Sequence, residues 1–436
     1  MKIAYLTAGA AGMYCGSCMH DNTLAAALCR QGADAVLVPT YTPIRTDEND
    51  VSLDQVFFGG INIYLQQKIP FFRYLPRFVD YFLDSPRLIR RVTRRAVSMS
   101  PKELGALTVS MLKGRGGYQR KEVGRLCDWL ASDLRPDLVL LTNALIGGAI
   151  PEIKRRLGIP IVVTLQGDDI FLESLPEPYR QQSLDLIRGL AQDVDLFLTH
   201  SQFYADAMSQ YLGIDRARME VVPLGIDMGD FTSRDDEPRP SGAEPVVGYL
   251  ARLAPEKGFG LLVDGFIEMA RRAPDLPGRL EVAGWLGPTQ TEFAEAQFEK
   301  IRAAGLEHRF RYVGSPDRHA KVDFLRSLDV LCVPTTYEEP KGLFALEALA
   351  TGVPVILPRH GAFPEMLAET GGGWLIEPHA PTAVADALEQ ALRDPSKLSE
   401  LGREGQLQTR VKRDSAAMAQ AHLATLRRLM SESANS

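Results

Sequence analysis

The stretch Pro245–Ala251, PVVGYLA, is a continuous apolar run bounded by turn-forming residues. Such a run is typical of a strand that is buried on both faces, as in a parallel sheet covered by helices. The chain continues with RLAPEKG, so Arg252 follows the strand directly and Lys257 precedes Gly258 and a helical apolar pattern. Because ligands of open α/β sheets bind at the carboxyl ends of strands, these two cations predict a site for phosphate groups.

A second buried run, VLCVPTT at Val330–Thr336, is followed by YEEPKGLFALEALATG. The strong helix formers after Gly342 predict a helix that stops at Gly352. Glu339 then lies on the loop before this helix, and Glu347 lies about one turn inside it. Two carboxylates here suit the hydroxyl groups of a sugar.

The same predicted helix start offers a place for an anion. The first backbone N–H groups of a helix have no intrahelical acceptor, and here they belong to Leu343 and Phe344. A sugar diphosphate needs both cations and carboxylates, and few other ligands do. For either pair alone, the ordinary alternative is a set of solvated charges on a turn or a helix face. The occurrence of both pairs in order favours a binding site.

Apolar runs separated by helical patterns recur along the whole chain. Alternating strands and helices predict an α/β fold with parallel sheets and helices on both faces. The polar segment SRDDEPRPSGA has the composition of a linker, and it separates residues 1–232 from residues 245–410. We therefore expect two doubly wound Rossmann-like domains facing across a cleft, joined by a linker at 233–244, with a final helix and a disordered tail at 411–436. The predicted strands are KIAYLTA, DAVLVPT, INIYLQ, DLVLLTN, PIVVTLQ, LFLTHS, EVVPLG, PVVGYLA, LEVAGW, FRYVGS, VLCVPT, PVILPR and GWLIEP.

The string RLAPEKG and the E-x7-E spacing of Glu339 and Glu347 resemble the motifs of the family 4 retaining glycosyltransferases, which have the GT-B fold. The resemblance covers nearly the whole chain and is strongest from Val246 to Pro378. It implies that Arg252 and Lys257 hold the donor diphosphate, that Glu339 contacts the transferred sugar and that Glu347 contacts the nucleotide ribose. Arg252, Lys257 and Glu339 are thus the predicted catalytic set. The resemblance also makes the first domain the acceptor side and the second the donor side, with the last helix crossing back to the first domain.

The resemblance adds further donor-binding positions to these residues. Many family members have a histidine where this chain has Gln166, which can hydrogen-bond a hydroxyl but cannot titrate. The family also has a glycine loop near the donor phosphate, matched here by Gly16 and Ser17. The predicted donor-binding residues are Gly16, Ser17, Gln166, Gly342, Leu343, Phe344, Glu347, Gly361 and Glu365.

These observations predict a nucleotide-sugar-dependent glycosyltransferase that retains anomeric configuration and uses a UDP-, GDP- or ADP-sugar. By resemblance it needs no metal ion or other cofactor. Three alternatives remain open: a non-catalytic nucleotide-sugar-binding protein, a sugar-nucleotide epimerase, and a glycoside hydrolase using Glu339 and Glu347 as acid and nucleophile. The hydrolase does not explain the two cations.

Composition narrows the partners and the compartment. The net charge of −6 provides no field that favours nucleic acid. Five cysteines in 436 residues do not form a disulfide scaffold, which indicates a reducing compartment. No apolar run is long enough to span a membrane, and the N-terminus does not resemble a signal peptide, so we expect a cytoplasmic protein. The pair Cys15 and Cys18 raises a redox or metal role, but tight packing of small residues explains it as well.

Residues 71–95 are aromatic at first and then basic, with five arginines. This pattern indicates either an amphipathic helix with a solvated basic face or a surface for an anionic acceptor or a membrane. We therefore expect a glycan or lipid-linked acceptor, and peripheral contact with the inner face of the membrane through 71–95 is one alternative. The five arginines are Arg87, Arg90, Arg91, Arg94 and Arg95.

Overall fold

The computed structural model describes residues 1–9, 16–58, 100–231 and 244–435. It divides into two compact units, one formed by Met1–Pro223 with Met418–Ser436 and the other by Leu224–Ala417. The predicted strand INIYLQ, the segment 71–95 and nearly all of the linker 233–244 lie outside the described residues. The domain boundaries at 232, 244 and 410 stay predictions.

In the described residues, the first unit is built on a six-stranded parallel sheet with the order β2-β1-β3-β4-β5-β6. The central strands are entirely buried, which explains why their sequences are apolar at every position instead of alternating. The strands are β1 (Lys2–Thr7), β2 (Asp34–Pro39), β3 (Leu138–Leu141), β4 (Ile161–Thr164), β5 (Leu196–Thr199) and β6 (Met219–Val221). The helices are α1 (Gly16–Arg30), α2 (Pro101–Leu112), α3 (Arg120–Trp129), α4 (Ile150–Leu157), α5 (Asp168–Glu173), α6 (Tyr179–Leu190) and α7 (Gln202–Leu212).

Over its described residues, the second unit repeats this plan with a six-stranded parallel sheet in the order β12-β11-β10-β7-β8-β9. The strands are β7 (Val246–Leu250), β8 (Arg279–Ala283), β9 (Phe310–Gly314), β10 (Val330–Cys332), β11 (Val355–Pro358) and β12 (Gly373–Ile376). The helices are α8 (Phe259–Arg272), α9 (Thr291–Ala303), α10 (Arg318–Arg326), α11 (Leu343–Ala350), α12 (Phe363–Thr370), α13 (Pro381–Arg393) and α14 (Pro395–Lys412).

The strand order of the second unit brings the two predicted halves of the site together. Strand β7 pairs with β10, with Val247 opposite Val330. The segments after these two strands carry Lys257 and Glu339, so both leave the same edge of the sheet. The predicted α/β fold with two parallel sheets is confirmed.

The last helix, α15 (Ser415–Asn435), belongs from Met418 onward to the first unit. Its apolar side joins Met418, Ala419, Leu423 and Leu426 to the core cluster that contains Ile3 and Tyr5. Its polar side is hydrogen-bonded to β6, since Thr425 Oγ1 donates to Glu220 Oε1 at 2.5 Å. The C-terminal segment is therefore part of the core of the first unit.

Candidate active site

The loop after β7 holds its shape through a buried tyrosine and a glycine. Tyr249 is fully buried, and its hydroxyl donates to the carbonyl of Arg252 at 2.9 Å. Gly258 has a φ of +74°, and a Cβ at this position would lie 1.7 Å from the carbonyl oxygen of Pro334. Only glycine fits such a close approach. The loop that carries Lys257 is thus pressed against the segment that follows β10.

A backbone hydrogen bond strengthens this contact, since Thr336 N donates to the carbonyl of Glu256 at 2.9 Å. The two segments meet where a cation and a carboxylate face each other. Lys257 Nζ lies 2.8 Å from Glu339 Oε2, and the hydroxyl of Tyr337 contacts both groups. The ammonium of Lys257 also lies 4.7 Å from the centroid of the Tyr337 ring. Lys257, Tyr337 and Glu339 therefore form one cluster.

Glu339 is only 5% exposed, yet its carboxyl group stays ionised. Burial raises its pKa, but the positive charge of Lys257 and the hydrogen bonds from Lys257 and Tyr337 lower it more. The resulting pKa is about 2, and Lys341 also contributes to lowering it. At neutral pH the carboxylate can accept hydrogen bonds but has no proton to donate.

The helix after this loop begins as the sequence predicts. Gly342 precedes α11, and its carbonyl accepts from the N–H groups of Ala345 and Leu346 at 3.0 and 3.3 Å. These are the first bonds of the helix, so the N–H groups of Leu343 and Phe344 lie at its open end. Phe344 also places its ring 5.9 Å from Lys257 Nζ. The structure thus brings the open helix end next to the cluster of Lys257, Tyr337 and Glu339.

Glu347 lies inside α11 and is paired with a cation that the sequence analysis missed. Its carboxylate contacts Lys321 Nζ on α10, and the two side chains are 7% and 8% exposed. Asp317 caps the start of α10 by accepting from Ala320 N at 3.0 Å. The helical register then places Lys321 one turn inside α10. No motif pointed to Lys321, and the buried face of its helix also carries Arg318, so the local sequence pattern did not single it out.

Gly361 and Glu365 come from the loop and helix that follow β11. Gly361 has a φ of +62°, and a Cβ there would lie 2.6 Å from both the backbone N and the O of Glu339. The next residue, Ala362, donates its N–H to the carbonyl of Glu339 at 2.9 Å. Glu365 lies in the first turn of α12. The predicted Gly361 position therefore supports the backbone of Glu339 directly.

Arg252 is placed differently from Lys257. Its side chain is 47% exposed and forms an ion pair with Glu256 at 3.0 Å. An exposed pair of this kind contributes little to stability and is easily exchanged for another anion. Arg252 is therefore a solvent-facing cation on the same loop as Lys257.

The predicted residues of the first unit lie at the start of α1 and after β4. Gly16 is exposed and Ser17 half-buried at the first turn of α1, while Cys15 lies outside the described residues. Gln166 is 5% exposed, and its amide nitrogen donates to the carbonyl and hydroxyl oxygens of Thr142 at 2.9 and 2.7 Å. It also approaches Asp21 Oδ1 at 3.3 Å. Gln166 is thus part of a buried polar network.

Asp21 is the centre of that network and was not predicted from the sequence. It is fully buried, and its oxygens accept from Tyr5 at 2.7 Å, from Thr7 at 2.6 Å and from Thr142 at 2.6 Å. Burial raises the pKa of Asp21, but hydrogen bonds and the charge of neighbouring His20 lower it overall. The network joins α1 to the ends of three neighbouring strands.

Among the residues that the structure describes, no group of three or more His, Cys, Asp or Glu side chains is arranged to hold a metal ion. Cys18 is a buried cysteine. No helix in the described ranges has the length and the apolar character needed to span a bilayer.

Comparison with known proteins gives glycosyltransferase matches for both halves of the chain. Residues 231–408 match the family model described as glycosyl transferases group 1, and residues 22–225 match the one described as glycosyl transferase 4-like domain. The D-inositol 3-phosphate glycosyltransferase of Kribbella flavida is 26% identical over 376 residues, which are 79% of this chain and 85% of that protein. The protein of that description from Segniliparus rotundus is 30% identical over 271 residues, 58% of each chain.

Solved structures share the fold over nearly the full length. Sucrose-phosphate synthase from Thermosynechococcus elongatus has a TM-score of 0.69 at 17% identity, covering 99% of this chain and 100% of that one. HepE from Anabaena, solved with UDP, has a TM-score of 0.68 at 18% identity, covering 98% and 100%. With two matching family models and parallel sheets in both units, the chain belongs to the family 4-like, group 1 glycosyltransferases, and it is an enzyme of that class with the GT-B fold.

Proposed function

We propose that this glycosyltransferase moves a sugar from a UDP-, GDP- or ADP-sugar to a hydroxyl-bearing acceptor, with retention of anomeric configuration. The observation that supports this most is the convergence of Lys257, Glu339 and the open end of α11. The cation and the helix N–H groups suit a diphosphate, and the ionised carboxylate suits sugar hydroxyls. HepE of Anabaena has been solved with UDP-glucose, which makes a UDP-sugar the first donor to test.

The chemistry follows from where charge develops. As the bond between the sugar and the diphosphate breaks, negative charge accumulates on the departing phosphate oxygens. Lys257, Arg252 and the N–H groups of Leu343 and Phe344 would stabilise that charge, which is usually the largest single contribution to catalysis. In the mechanism implied by the family, the leaving phosphate takes the acceptor proton on the same face of the sugar. That mechanism retains configuration without a protein base.

Glu339 has a different role in this proposal. With a pKa of about 2, it is ionised throughout the neutral range. It can accept hydrogen bonds from the hydroxyl groups of the donor sugar and orient the sugar for transfer. Glu347, in the turn that follows the open helix end, is the proposed contact of the nucleotide ribose. Gly361 supports the loop of Glu339, and Gly361 and Glu365 complete the proposed donor side as positions that face the donor.

The ionisation of Glu339 argues against the glycoside hydrolase alternative. A retaining hydrolase needs one carboxyl group that keeps its proton near neutral pH, in addition to a nucleophilic carboxylate. The pKa of about 2 beside Lys257 makes Glu339 unsuited to be that acid, and Glu347 would have to serve while it is paired with Lys321. The hydrolase also leaves Lys257 without a function. Transfer activity separates the proposal from the binding-protein and epimerase alternatives.

We place the donor in the domain predicted at 245–410 and the acceptor on the domain predicted at 1–232, with Gly16, Ser17 and Gln166 contributing from the first domain. We further propose that transfer needs no metal ion. Activity that survives dialysis against EDTA would support metal independence, and activity that is lost and then restored by Mg²⁺ would refute it.

For the acceptor, we propose a glycan or a lipid-linked or small-molecule hydroxyl compound bearing negative charge. The curated relatives named D-inositol 3-phosphate glycosyltransferase make D-inositol 3-phosphate the first small acceptor to test.

The arginine-rich segment 71–95 is the proposed acceptor or membrane surface, in a protein that works in the cytoplasm or at the inner face of the membrane. Neutralising Arg90, Arg91, Arg94 and Arg95 together should lower the affinity for an anionic acceptor and leave the affinity for the donor unchanged. An unchanged affinity for the acceptor at low salt would refute the proposed role of segment 71–95.

The decisive experiment is a panel of UDP-, GDP- and ADP-glucose tested by thermal shift on the full chain. A ligand at a hundred times its Kd stabilises the native state by about 2.7 kcal/mol, which a melting curve resolves easily. The stabilising donor is then incubated with D-inositol 3-phosphate and with phospholipid or oligosaccharide acceptors, and nucleoside diphosphate release is measured. Release that depends on the acceptor, with a glycosylated product, confirms the proposal. Stabilisation without any donor breakdown would favour a binding protein.

A further inference from the structure

Tyr337 lies two residues before Glu339 and belongs to neither of the sequence motifs that pointed to this site. Its side chain nevertheless meets both predicted catalytic groups. The hydroxyl contacts the ammonium of Lys257 and Oε2 of Glu339, and the ring lies 4.7 Å from the same ammonium. Lys257 and Glu339 also contact each other directly at 2.8 Å. The three groups thus form a closed triangle.

The direction of the hydrogen bonds follows from the donors and acceptors available. The ammonium donates to the hydroxyl oxygen of Tyr337 and to the carboxylate of Glu339, while the tyrosine hydroxyl donates its own proton to that carboxylate. An ammonium has three N–H bonds. Since its hydrogen-bond acceptors among the described residues are these two oxygens, one N–H remains for a ligand. The hydroxyl therefore sets the direction in which the third N–H points.

We propose that Tyr337 is a positioning residue of the donor site: its hydroxyl fixes the ammonium of Lys257 and the carboxylate of Glu339 relative to each other, so that one side chain aims at the diphosphate and the other at the sugar. This inference rests on the proposed function, because it gives Tyr337 its role in donor recognition. Tyr337 touches neither phosphate nor sugar in the proposal and acts through its two partners.

Both partners need such a support. A lysine side chain has a flexible four-carbon stem and a large rotamer entropy. An ammonium that must point at one phosphate therefore needs a contact that holds it in place. A carboxylate held by a lysine alone would follow that lysine when it moves toward a ligand. Tyr337 has a rigid ring and only two side-chain torsions. It lies two residues before Glu339 in the chain, and its hydroxyl contacts the carboxylate of Glu339. When a diphosphate draws Lys257 away, the hydroxyl remains as a hydrogen-bond donor to Glu339.

The test is Tyr337→Phe in the full chain, which removes the hydroxyl and keeps the ring. The matched control is Tyr312→Phe, whose hydroxyl donates to the carbonyl of Gly284 at 2.9 Å on another part of the same unit. Kd for the best nucleotide sugar of the UDP-, GDP- and ADP-glucose panel and for the matching nucleoside diphosphate is measured, together with kcat, KM and the melting temperature. Glu339→Gln and the double variant Tyr337→Phe/Glu339→Gln complete a cycle.

We expect Tyr337→Phe to lower kcat/KM by about ten- to a hundredfold, the usual effect of losing a hydrogen bond to a charged group. Most of the loss should be in kcat, with a smaller rise in the Kd of the nucleoside diphosphate, because the hydroxyl also positions Lys257. In the Glu339→Gln background, removal of the hydroxyl should have a much smaller effect, because the residue acts through that carboxylate. Tyr312→Phe should leave kcat and KM unchanged.

Three outcomes would overturn the inference. If Tyr337→Phe lowers only the melting temperature, the hydroxyl serves stability. If its effect and that of Glu339→Gln are additive, Tyr337 does not act through Glu339, and the proposed function still stands on the wild-type activity. If the wild-type chain binds none of the nucleotide sugars, the proposed function is wrong and the role of Tyr337 falls with it.

Discussion

The ammonium of Lys257 lies 2.8 Å from Oε2 of Glu339, although 82 residues separate them in the chain. Two segments that follow neighbouring strands create this contact, because Gly258 lets them approach closely. The pair joins the predicted phosphate-binding cation to the predicted sugar-binding carboxylate. A bound donor would therefore place its diphosphate and its sugar next to two side chains that contact each other.

The first prediction concerns the two cations. Arg252→Ala and Lys257→Ala should each raise the activation barrier by about 2–4 kcal/mol, a rate loss of about ten- to a thousandfold, because charge on the leaving diphosphate loses a partner. Steady-state rates with the best nucleotide sugar measure this. The control is Lys300→Ala, which removes an exposed lysine paired with Asp264 at 2.7 Å. Rates within twofold of the wild type in both site variants would refute the role of the cations.

These two variants should differ in stability. Arg252 is 47% exposed, so its removal should change the free energy of unfolding by no more than about 0.5 kcal/mol. Removal of Lys257 leaves the buried Glu339 carboxylate without its cation, which costs about 3–5 kcal/mol for a buried pair. Thermal melts distinguish the two. Because Arg252→Ala should lose rate without losing stability, it gives the cleaner test of catalysis.

The strands and the positions of the two motifs could be predicted from the sequence because they depend on local patterns. Twelve of the thirteen predicted strands appear in the described residues at their expected positions, and the thirteenth, INIYLQ, lies outside them. The helix at Leu343 was predicted from Gly342 and the helix formers after it. Continuous apolar runs and helix start signals are properties of a few neighbouring residues, so a sequence shows them directly.

The side-chain partners could not be predicted in this way. Lys321 meets Glu347 across two helices, and Tyr337 points back to a lysine 80 residues earlier. Gln166 stays a predicted donor-binding residue, and the partners of its amide nitrogen, Thr142 and the distant Asp21, had no signal in the sequence. The contacts of Tyr337 and Gln166 depend on how the loops after β10 and β4 fold against distant segments. The contact between Lys321 and Glu347 depends on the rotation of each helix about its axis. One residue of shift turns a helix side chain by about 100°, and no local pattern specifies that rotation.

The second prediction separates the work of the two glutamates. Glu339→Gln should leave the Kd of the nucleoside diphosphate nearly unchanged and impair binding or turnover of the complete nucleotide sugar. Glu347→Gln should weaken both ligands, because the proposed ribose contact is common to them. Isothermal titration with UDP and UDP-glucose, or with the nucleotide pair that the panel selects, measures the difference. If both variants weaken the free nucleotide equally, the proposed division of roles is wrong.

The buried partner of Glu347 provides a control for that experiment. Glu347→Gln leaves the Lys321 ammonium buried without its carboxylate, which should destabilise the protein by about 3–5 kcal/mol. Lys321→Met combined with Glu347→Gln removes both charges and should recover most of that loss. If the double variant is stable and still binds nucleotide poorly, the loss of affinity is due to the missing carboxylate. Recovery of affinity along with stability would show that Glu347 is only structural.

The third prediction tests the close approach at Gly258. Gly258→Ala should cost about 1–2 kcal/mol for the positive φ. A further cost of about 1–3 kcal/mol or more should follow, because the new methyl group overlaps the carbonyl of Pro334. Gly305→Ala is a matched control, since Gly305 has a φ of +72° but no atom within 4 Å of the added Cβ. Urea unfolding compares the two variants. Equal losses of stability would mean that the two segments do not need their close contact.

The last prediction concerns acid stability and His422 on α15. Burial lowers the pKa of this histidine to about 4, and the nearby His20 lowers it as well, while a hydrogen bond to the carbonyl of Met418 acts in the opposite direction. The neutral imidazole is therefore favoured in the folded state, and the proton binds first in the unfolded state. Its stabilising effect is complete above the ordinary histidine pKa of about 6.5 and is lost as the pH falls from there toward 4. Between pH 7.5 and pH 5, this single group should reduce the free energy of unfolding by about 2 kcal/mol.

The variant His422→Gln should lose that share of the pH dependence, whatever its effect on stability at pH 7.5. The control is His308→Gln, which changes an exposed histidine. Urea unfolding of the three proteins at both pH values gives the comparison, and an undiminished pH dependence in His422→Gln would contradict the assignment.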